Sequence, residues 1–559
     1  MGNQVSPLQK ITSCVLLYIG VLLGFSYRKK PEDDLVIEFN KGLSMSDGEK
    51  KKPLSAAEKK VLLAKLLKKK AAAKKAQQKK QHKVQQAPAS FAQDRMWFLM
   101  QLMPKSAAYN IPTPIRLTGN IDFEVIERSL QTIVARHESL RTTFSAGKTH
   151  AVQNIQLSPK FKLQIEDVTP ERDLKLQLIE LTKKEALFGF DLVRGPLFRA
   201  VAYRFSATDC LFVFTMHHII SDGTSTDVFI RELGALYQAY SSGKASPLTE
   251  LSIQYADYAQ WQRETLQGEK LDQQLHFWRQ QLVGHEPLQL ESDFSRPNEL
   301  GNHGKTTLFK LNSQTSLLLN RLCKSGITLY MVLLSVFYIM LKKYSNQSDI
   351  CIGTPVAGRP RAELQELIGF FINTLVMRVE QPEPVTFAEL LTQVKNVALD
   401  AFGHQDIPFE KLVESLHPER DMSRSPFFQV MLTFQNFQST DDKAIHFQGM
   451  NIEPVELEHS VSKFDLTLTM GENNAEIMGG FEYNTELYKA DTIQSMVDHF
   501  VLIAEAVAKQ PQISIDDISL VDAAHQAELL AQTTAGKISG VVVERLYEPF
   551  LSQVTENPD

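Results

Sequence analysis

Cysteine and tryptophan are scarce, with 4 and 3 copies among 559 residues. The cysteines lie far apart and form no CxxC pair: Cys14, Cys210, Cys323 and Cys351. This spacing argues against a zinc cage, an iron–sulfur cluster and a disulfide framework. We therefore expect no bound metal, and a protein of a reducing compartment, the cytoplasm.

Several motifs of catalysis are also missing. The sequence contains no HExxH, GxGxxG or GxSxG pattern, and the GKT at 304–306 lacks the first glycine of a phosphate loop, whose position is occupied by Glu299. The net charge of -5 argues against a general coat for nucleic acid. Nothing in the sequence therefore supports a nucleotide, zinc or acyl-serine mechanism, and we expect no nucleic-acid partner.

Long apolar runs are rare, and the one near the start is marginal. Residues 11–27 are seventeen residues without a charge, followed by a basic cluster at 28–30. A bilayer span needs roughly 18–20 such residues. Two hypotheses remain open for residues 1–44. They form a membrane anchor that keeps the rest of the chain cytoplasmic, or they precede a true translation start at Met45.

Residues 45–87 form a basic region of a different composition. Fourteen lysines occur between 50 and 83, with Ala, Leu and Gln between them. A short apolar stripe fits one face of a helix there. A solvated linker helix and a docking helix for an acidic partner protein both fit this pattern. Nucleic acid fits less well, because the aromatic residues that would stack on bases are missing.

From about 89 to 530 the composition is that of a folded protein, and 43% of the whole chain is apolar. Apolar spacings of three and four predict a helix over 122–136, and an apolar run predicts a buried strand over 210–216. We expect one or two helices over 317–344, around Gly326. Prolines near 287 and 297 indicate a boundary between two halves. The sequence predicts an α/β or α+β protein with two similar lobes.

The strongest candidate for chemistry is the sequence MHHIISDG at 216–223. It lies between a predicted strand and a predicted helix, a position where α/β proteins place reacting groups. We expect Asp222 and Gly223 to form the turn, and Ser225 or Thr226 to cap the helix. Because successive side chains point to opposite sides, one of the two histidines can face a cavity while the other packs behind it. Imidazole is suited to proton transfer near neutral pH.

The HHxxxDG pattern resembles the active-site motif of nonribosomal peptide synthetase condensation domains. Further segments resemble the other motifs of that family, in the family's order: SFAQDRMWFL at 90–99, RHESLRTTF at 136–144, YADYAQW at 255–261, IGTPVAGR at 352–359, IGFFINTL at 368–375, HQDIPFEKL at 404–412 and RDMSR at 420–424. The resemblance covers more than three-quarters of the chain. It favours the subtype that joins an L-configured donor to an L-acceptor.

This resemblance implies an α/β fold of two chloramphenicol-acetyltransferase-like lobes arranged in a V with a central tunnel. We assign the N-terminal lobe to 88–270, the C-terminal lobe to 271–530, and a linker to 531–559. An upstream carrier protein would present an acyl or peptidyl thioester, and a downstream carrier an aminoacyl acceptor, whose amine takes over the acyl group. The phosphopantetheine arms would belong to these carriers, so the domain itself would need no cofactor.

The resemblance also assigns roles within the motif. His218 would be the catalytic residue, and His217 mainly structural or orienting. Asp222 would form a buried ion pair with Arg359. The N–H of Gly223 would be a donor to the oxyanion.

Other residues have weaker assignments. Three candidates would line the tunnel: Asn373, Thr224 and Ser221. Thr224 stands where the family commonly has tryptophan, so an apolar face is lost beside the site. The second motif is expected to be structural through Arg136, His137 and Arg141, and His404 is expected to pack in a core.

Neighbouring parts of the assembly are predicted as well. The segment LYEPF at 546–550 resembles the opening of an adenylation domain. The basic region suggests that the donor carrier is on a separate polypeptide. Three alternatives stay open: ester formation with a hydroxyl acceptor, epimerisation, against which the later motifs argue, and a recruitment module of the same fold that catalyses weakly or not at all.

Overall fold

The computed structural model describes residues 86–103, 106–157, 161–381, 383–416, 421, 423–436, 449–455, 461–521 and 531. The predictions for 1–44, for nearly all of 45–87 and 531–559, and for residues 420 and 422 of the closing motif lie outside these ranges. Within the described ranges, no helix is both long and apolar enough to cross a bilayer.

Helices and strands alternate along the described chain. The strands are β1 Gln86–Pro88, β2 Asn110–Gly119, β3 Thr142–Ser145, β4 Val152–Ile155, β5 Gln164–Asp167, β6 Phe198–Ser206, β7 Asp209–His217, β8 Gly304–Lys310, β9 Asp349–Val356, β10 Asn373–Glu380, β11 Val430–Asn436, β12 Met450–Pro454, β13 Leu466–Asn473 and β14 Glu476–Asn484. The helices are α1 Phe91–Leu102, α2 Phe123–Arg136, α3 Leu174–Ala186, α4 Gly223–Ser241, α5 Tyr255–Thr265, α6 Gly268–Leu282, α7 Ser313–Arg321, α8 Leu329–Ser345, α9 Phe387–Gly403, α10 Phe409–Leu416 and α11 Ala490–Lys509.

The chain packs into two compact units. The first holds the described residues up to Thr265, the segment Arg359–Phe371, and the described part of the segment that ends at Val455. The second holds the remaining described residues. The division therefore lies between Thr265 and Leu266 rather than near the prolines at 287 and 297, which lie in a loop of the second unit after α6. These prolines interrupt regular structure within a unit, which is their usual effect.

A five-stranded sheet in the order β12-β2-β7-β6-β5 lies in the first unit, with a three-stranded sheet β1-β4-β3. All but the first residue of β7 are buried, because this strand has a neighbour on each side and an almost continuous apolar sequence. This confirms the predicted strand. β12 joins the edge of the same sheet from far along the chain, pairing with β2. A division of the sequence at one point therefore cannot describe the two units.

The predicted helix over 122–136 is confirmed as α2. The side chain of Asp122 accepts a hydrogen bond from the N–H of Val125 at 3.0 Å and so caps the first turn. Ile126, Leu130 and Ile133 are buried along one face. The predicted three- and four-residue spacing therefore forms the face that packs into the first unit.

The second unit is built on a six-stranded sheet in the order β10-β9-β11-β13-β14-β8. The apolar helix α8 lies in its core, with Leu329 to Leu341 buried. α7 and α8 are separate helices, which is one of the two arrangements expected around Gly326. Gly326 lies between them and has φ +80°, a conformation that side chains rarely adopt.

Candidate active site

The two histidines lie where β7 ends and a single 3-10 turn, His218–Ile220, begins. His217 is the last residue of the strand and pairs with Asn110 of β2. It is fully buried, whereas His218 is half-buried. The expected difference in exposure between the two neighbours is therefore present.

Hydrogen bonds fix the orientation and the tautomer of His218. Its backbone N–H donates to the carbonyl of Tyr109 at 2.8 Å, and its ring Nδ1 lies 3.0 Å from the carbonyl oxygen of Ser221. A carbonyl oxygen can only accept, so Nδ1 carries the hydrogen in this contact. In the neutral ring, Nε2 then carries the lone pair. The ring of Phe370 packs edge-on against the imidazole, with centroids 4.8 Å apart.

His217 supports the same turn from inside. Its Nδ1 accepts a hydrogen bond from the N–H of Ile219 at 3.1 Å, while its Nε2 is buried without a hydrogen-bond partner among the described residues. Burial, together with the neighbouring His218, lowers the pKa of His217 to about 3. The ring is therefore neutral at physiological pH and holds the turn rather than transferring protons.

Asp222 caps helix α4. Its Oδ1 accepts from the N–H and the hydroxyl of Ser225, at 2.8 and 2.7 Å, and its Oδ2 accepts from the N–H of Phe371 at 3.0 Å. The prediction of Ser225 or Thr226 as the cap is wrong. The helix begins earlier, at Gly223, because a carboxylate beside the first turn satisfies its free N–H groups and favourably meets the helix dipole.

The structure contains the buried ion pair between Asp222 and Arg359, with 3.0 Å between Oδ1 and Nη2. The two side chains are 3% and 1% exposed. Arg359 also donates from Nη1 to the carbonyls of Leu364 and Leu367, both at 2.6 Å, and its guanidinium stacks 4.1 Å from the ring centre of Phe371. The charge is thus paired and hydrogen-bonded, as a buried charge needs to be.

Side chains from other motifs hold the backbone of 359–371 in the first unit. The hydroxyl of Tyr255 donates to the carbonyl of Phe370 at 2.6 Å, and the hydroxyl of Ser139 donates to that of Ile368 at 2.7 Å. Gly369 must be small, because a Cβ there would lie 2.0 Å from the ring of Tyr255. Motifs that are far apart in sequence therefore meet around one segment.

The second motif forms a buried polar cluster. Arg136 Nε and His137 Nε2 contact the two carboxylate oxygens of Glu232, at 2.8 and 2.9 Å. Burial lowers the pKa of His137, although Glu232 acts in the opposite direction. Arg141 donates to the carbonyl of Gln156. These contacts link α2, α4 and the following chain, which is a structural role.

Gly223, Thr224 and Ser221 differ in their surroundings. Gly223 is the exposed first residue of α4, and a Cβ there would meet nothing within 4 Å. The glycine therefore leaves open space beside an N–H that the helix itself cannot satisfy. Thr224 is half-buried. The side chain of Ser221 is fully buried, so its contribution here is the carbonyl that orients His218 rather than a surface lining a tunnel.

Asn373 belongs to a separate cluster in the second unit. Its Nδ2 donates to the carbonyls of Gln405 and Ile407, at 3.0 and 2.8 Å, and its Oδ1 accepts from the N–H of Phe409 at 3.0 Å and of Thr374 at 2.9 Å. These four bonds use all the hydrogen-bonding capacity of the amide. Its side chain therefore holds the chain between α9 and α10.

His404 lies in the same region of the second unit. Its ring stacks on Phe277, with the ring centres 3.8 Å apart and the planes 5° from parallel, and its Nδ1 contacts the carbonyl of Asp400. The residue is half-exposed at a helix end. It packs against another ring, as expected, although not in a fully buried core.

Gln93 is a residue of the site for which the sequence predicts no role. This side chain on α1 is 1% exposed and donates from Nε2 to the carbonyl of Ile219 at 3.0 Å, across 126 residues of sequence. The local pattern of serine followed three residues later by glutamine indicates a capping box. That box is present with Ser90. No sequence signal indicates the distant contact.

Residues 83–530 match the family model for the condensation domain. The chain belongs to the condensation domain family. Its fold is the two-lobed, chloramphenicol-acetyltransferase-like fold of that family. The V-shaped arrangement and the tunnel remain predictions.

Curated relatives are large synthetases. The chain is 37% identical to chondramide synthase of Chondromyces crocatus over 477 residues, which is 84% of this chain and 12% of that protein. It is 35% identical to bacitracin synthase 3 of Bacillus licheniformis over 472 residues, 84% of this chain and 7% of that protein. A linear gramicidin synthase of Brevibacillus parabrevis is 44% identical over 452 residues, 80% of this chain and 9% of that protein. The chain thus spans only a small part of the length of these relatives.

Solved structures show the same fold. The X-domain from teicoplanin biosynthesis matches with a TM-score of 0.71 and 27% identity, over 79% of this chain and 99% of that one. The same X-domain has been solved in a complex with OxyB. The condensation domain is the amide-bond-forming acyltransferase unit of nonribosomal peptide synthetases, acting on substrates tethered to phosphopantetheine of partner domains.

Proposed function

We propose that this domain joins an acyl or peptidyl thioester on an upstream carrier protein to the amine of an aminoacyl thioester on a downstream carrier, with His218 as the catalytic residue. The observation that carries this is the contact of His218 Nδ1 with the carbonyl of Ser221. It leaves the lone pair on Nε2 and holds a half-buried imidazole in one orientation.

The reaction balances without a cofactor. The amine nitrogen forms the new C–N bond to the thioester carbonyl, and the nitrogen of the tetrahedral intermediate gives a proton to Nε2 of His218. The C–S bond then breaks, and the leaving thiolate takes that proton to become the carrier's free thiol. A free α-amine has a pKa of about 7.7–8.0, so a useful fraction is neutral without a strong base. His218 therefore orients the amine and receives its proton.

The surroundings of His218 supply the remaining roles. Gly223 N–H, at the positive end of α4, is the candidate donor to the oxyanion. His217 and the pair of Asp222 with Arg359 hold the turn and the helix start in place. Thr224, with a small side chain beside the site, leaves room for a bulkier donor than a tryptophan would.

The partners follow from the family and from regions outside the described residues. The basic helix of 45–87 docks on the polypeptide that carries the upstream carrier, and residues 531–559 lead into an adenylation domain and the downstream carrier. The phosphopantetheine belongs to the two carriers. The assembly works in the cytoplasm. Reversing the charge of Lys68, Lys69 and Lys70 is expected to weaken transfer from a separate upstream carrier but not from a fused one, and an equal loss in both formats would contradict the docking role.

The experiment loads both carriers and follows the amide product by intact-protein mass spectrometry. His218→Ala is expected to lower the rate by about 10²–10⁴-fold, the usual contribution of acid–base help. His276→Ala, at an exposed histidine of α6, serves as the control and is expected to keep the rate. Product formed by the His218 variant at the wild-type rate would refute the assignment. A hydroxy acid on the acceptor carrier tests the ester-forming alternative in the same assay.

A recruitment module of the same fold is the second candidate. It is supported by the likeness to an X-domain that binds OxyB and by Thr224. A domain of this kind would bind a partner enzyme and give no amide product with either acceptor. Amide formation that depends on His218 would exclude it.

A further inference from the structure

Gln93 connects helix α1 to the turn that carries His218. Its Oε1 accepts from the N–H of Ser90 at 3.0 Å, and the hydroxyl of Ser90 accepts from the N–H of Gln93 at 3.1 Å. Its Nε2 donates to the carbonyl of Ile219 at 3.0 Å. One amide group is therefore shared between the start of α1 and a turn 126 residues away.

Ile219 is the middle residue of that turn, and both of its backbone groups are held by side chains. Its N–H is held by His217 Nδ1 and its carbonyl by Gln93. The peptide planes on either side of Ile219 are thus fixed. The next residues lead directly to Ser221, whose carbonyl sets the ring of His218. A rotation of the carbonyl at 219 would change the direction of Nε2.

We propose that Gln93 is a positioning residue for the condensation reaction, which acts by holding the turn 218–220 so that Nε2 of His218 points at the acceptor amine. The proposal rests on the role of His218 given above. A cap of α1 alone would not require this residue type. Glutamate serves a capping box as well as glutamine, but an ionised carboxylate has no hydrogen to donate to the carbonyl of Ile219.

The test is therefore Gln93→Glu, which keeps the cap and removes the donor. The control is Gln262→Glu on α5. Gln262 is also buried, at 8% exposure, and its Oε1 also accepts from the backbone of α1, at Phe91 N–H. Its Nε2 donates to the hydroxyl of Tyr258 rather than to the turn. Both variants bury a carboxyl group in the same unit. We expect the single-turnover rate at pH 7.5 to fall about 10–100-fold in the Gln93 variant, as misplacement of a catalytic group does, and to stay within about twofold of wild type in the control.

Two readouts separate positioning from loss of structure. A buried carboxyl group has a raised pKa, and when protonated it can donate to the carbonyl of Ile219. The rate of the Gln93 variant relative to wild type at the same pH is therefore expected to recover as the pH falls from 8 to 5.5. In a His218→Ala background, the Gln93 substitution is expected to cause no further loss, because both changes act through one imidazole.

The outcomes are distinct. A rate equal to that of the Gln262 control, a relative rate that does not change with pH, or a full additional loss in the His218→Ala background would each overturn the role of Gln93. If His218→Ala alone keeps the wild-type rate, the proposed function fails instead. If the Gln93→Glu chain does not fold, Gln93→Met, which has a similar volume and no donor, is measured in the same double-variant comparison.

Discussion

Replacing Asp222 by asparagine tests how the buried ion pair supports the first unit. Asparagine is as good a helix cap as aspartate, so α4 can keep its first turn. Arg359 would keep its charge, 1% exposed, with no counter-charge at Oδ1. Removing one partner of a buried pair costs about 3–5 kcal/mol of unfolding free energy. We therefore expect a loss of about that size.

A pair with similar geometry but more exposure provides the control. Arg116 and Asp209 of the same unit form a two-bond ion pair, with 2.9 Å between Nη2 and Oδ2 and side chains 26% and 23% exposed. Asp209→Asn is expected to cost at most about 1 kcal/mol, because water screens such a pair. The comparison isolates burial from the loss of one negative charge.

The measurement is hydrogen exchange at the backbone amides of Ser225 and Phe371, which donate directly to Asp222. Exchange reports a local free energy and does not require the two units to unfold together. A second variant adds Arg359→Met to Asp222→Asn. It is expected to lose less than the sum of the single losses, since no charge remains stranded. Equal effects of the Asp222 and Asp209 substitutions would refute the reasoning.

Two further predictions concern His217 and Asn373. Burial lowers the pKa of His217 to about 3 from its ordinary 6.5, so between these values the unfolded chain binds a proton that the folded chain does not. Unfolding free energy is therefore expected to fall with decreasing pH by up to about 1.4 kcal/mol per unit more in wild type than in His217→Gln; identical urea-unfolding slopes from pH 7 to 5 would contradict this. Asn373→Ala is expected to cost about 1–3 kcal/mol and to speed hydrogen exchange at Phe409, whereas unchanged exchange would show that the amide does not hold this segment.

Local features of the fold could be predicted from the sequence. The period of the apolar residues was enough for α2, and the unbroken apolar run was enough for β7. The residues around 217–223 were also identified, because a strand, a tight turn and a helix start leave a local pattern. The cap was misplaced onto Ser225 or Thr226, since several residues in the turn can accept from a free N–H and only the packing decides between them.

The long-range contacts could not be predicted from local patterns. The ion pair of Asp222 with Arg359 was expected only through the family resemblance, because the residues lie 137 apart. Nothing indicated that β12 or the segment Arg359–Phe371 joins the first unit. Such assignments depend on which edge of a sheet and which buried donor a distant segment meets, and one sequence contains no periodicity for that.

The buried polar contacts also decide how variants of this site can be interpreted. Asp222 and Arg359 are held by each other, by Ser225 and by backbone groups of 359–371, so a loss of rate after changing either one reports folding and chemistry together. His218 differs because its side chain is half-buried, so removing the ring strands no buried charge. Gln93→Glu differs because it keeps the cap that α1 needs. Rate effects at these two positions can therefore be assigned to the imidazole, provided that the amides of Ser225 and Phe371 exchange as slowly as in wild type.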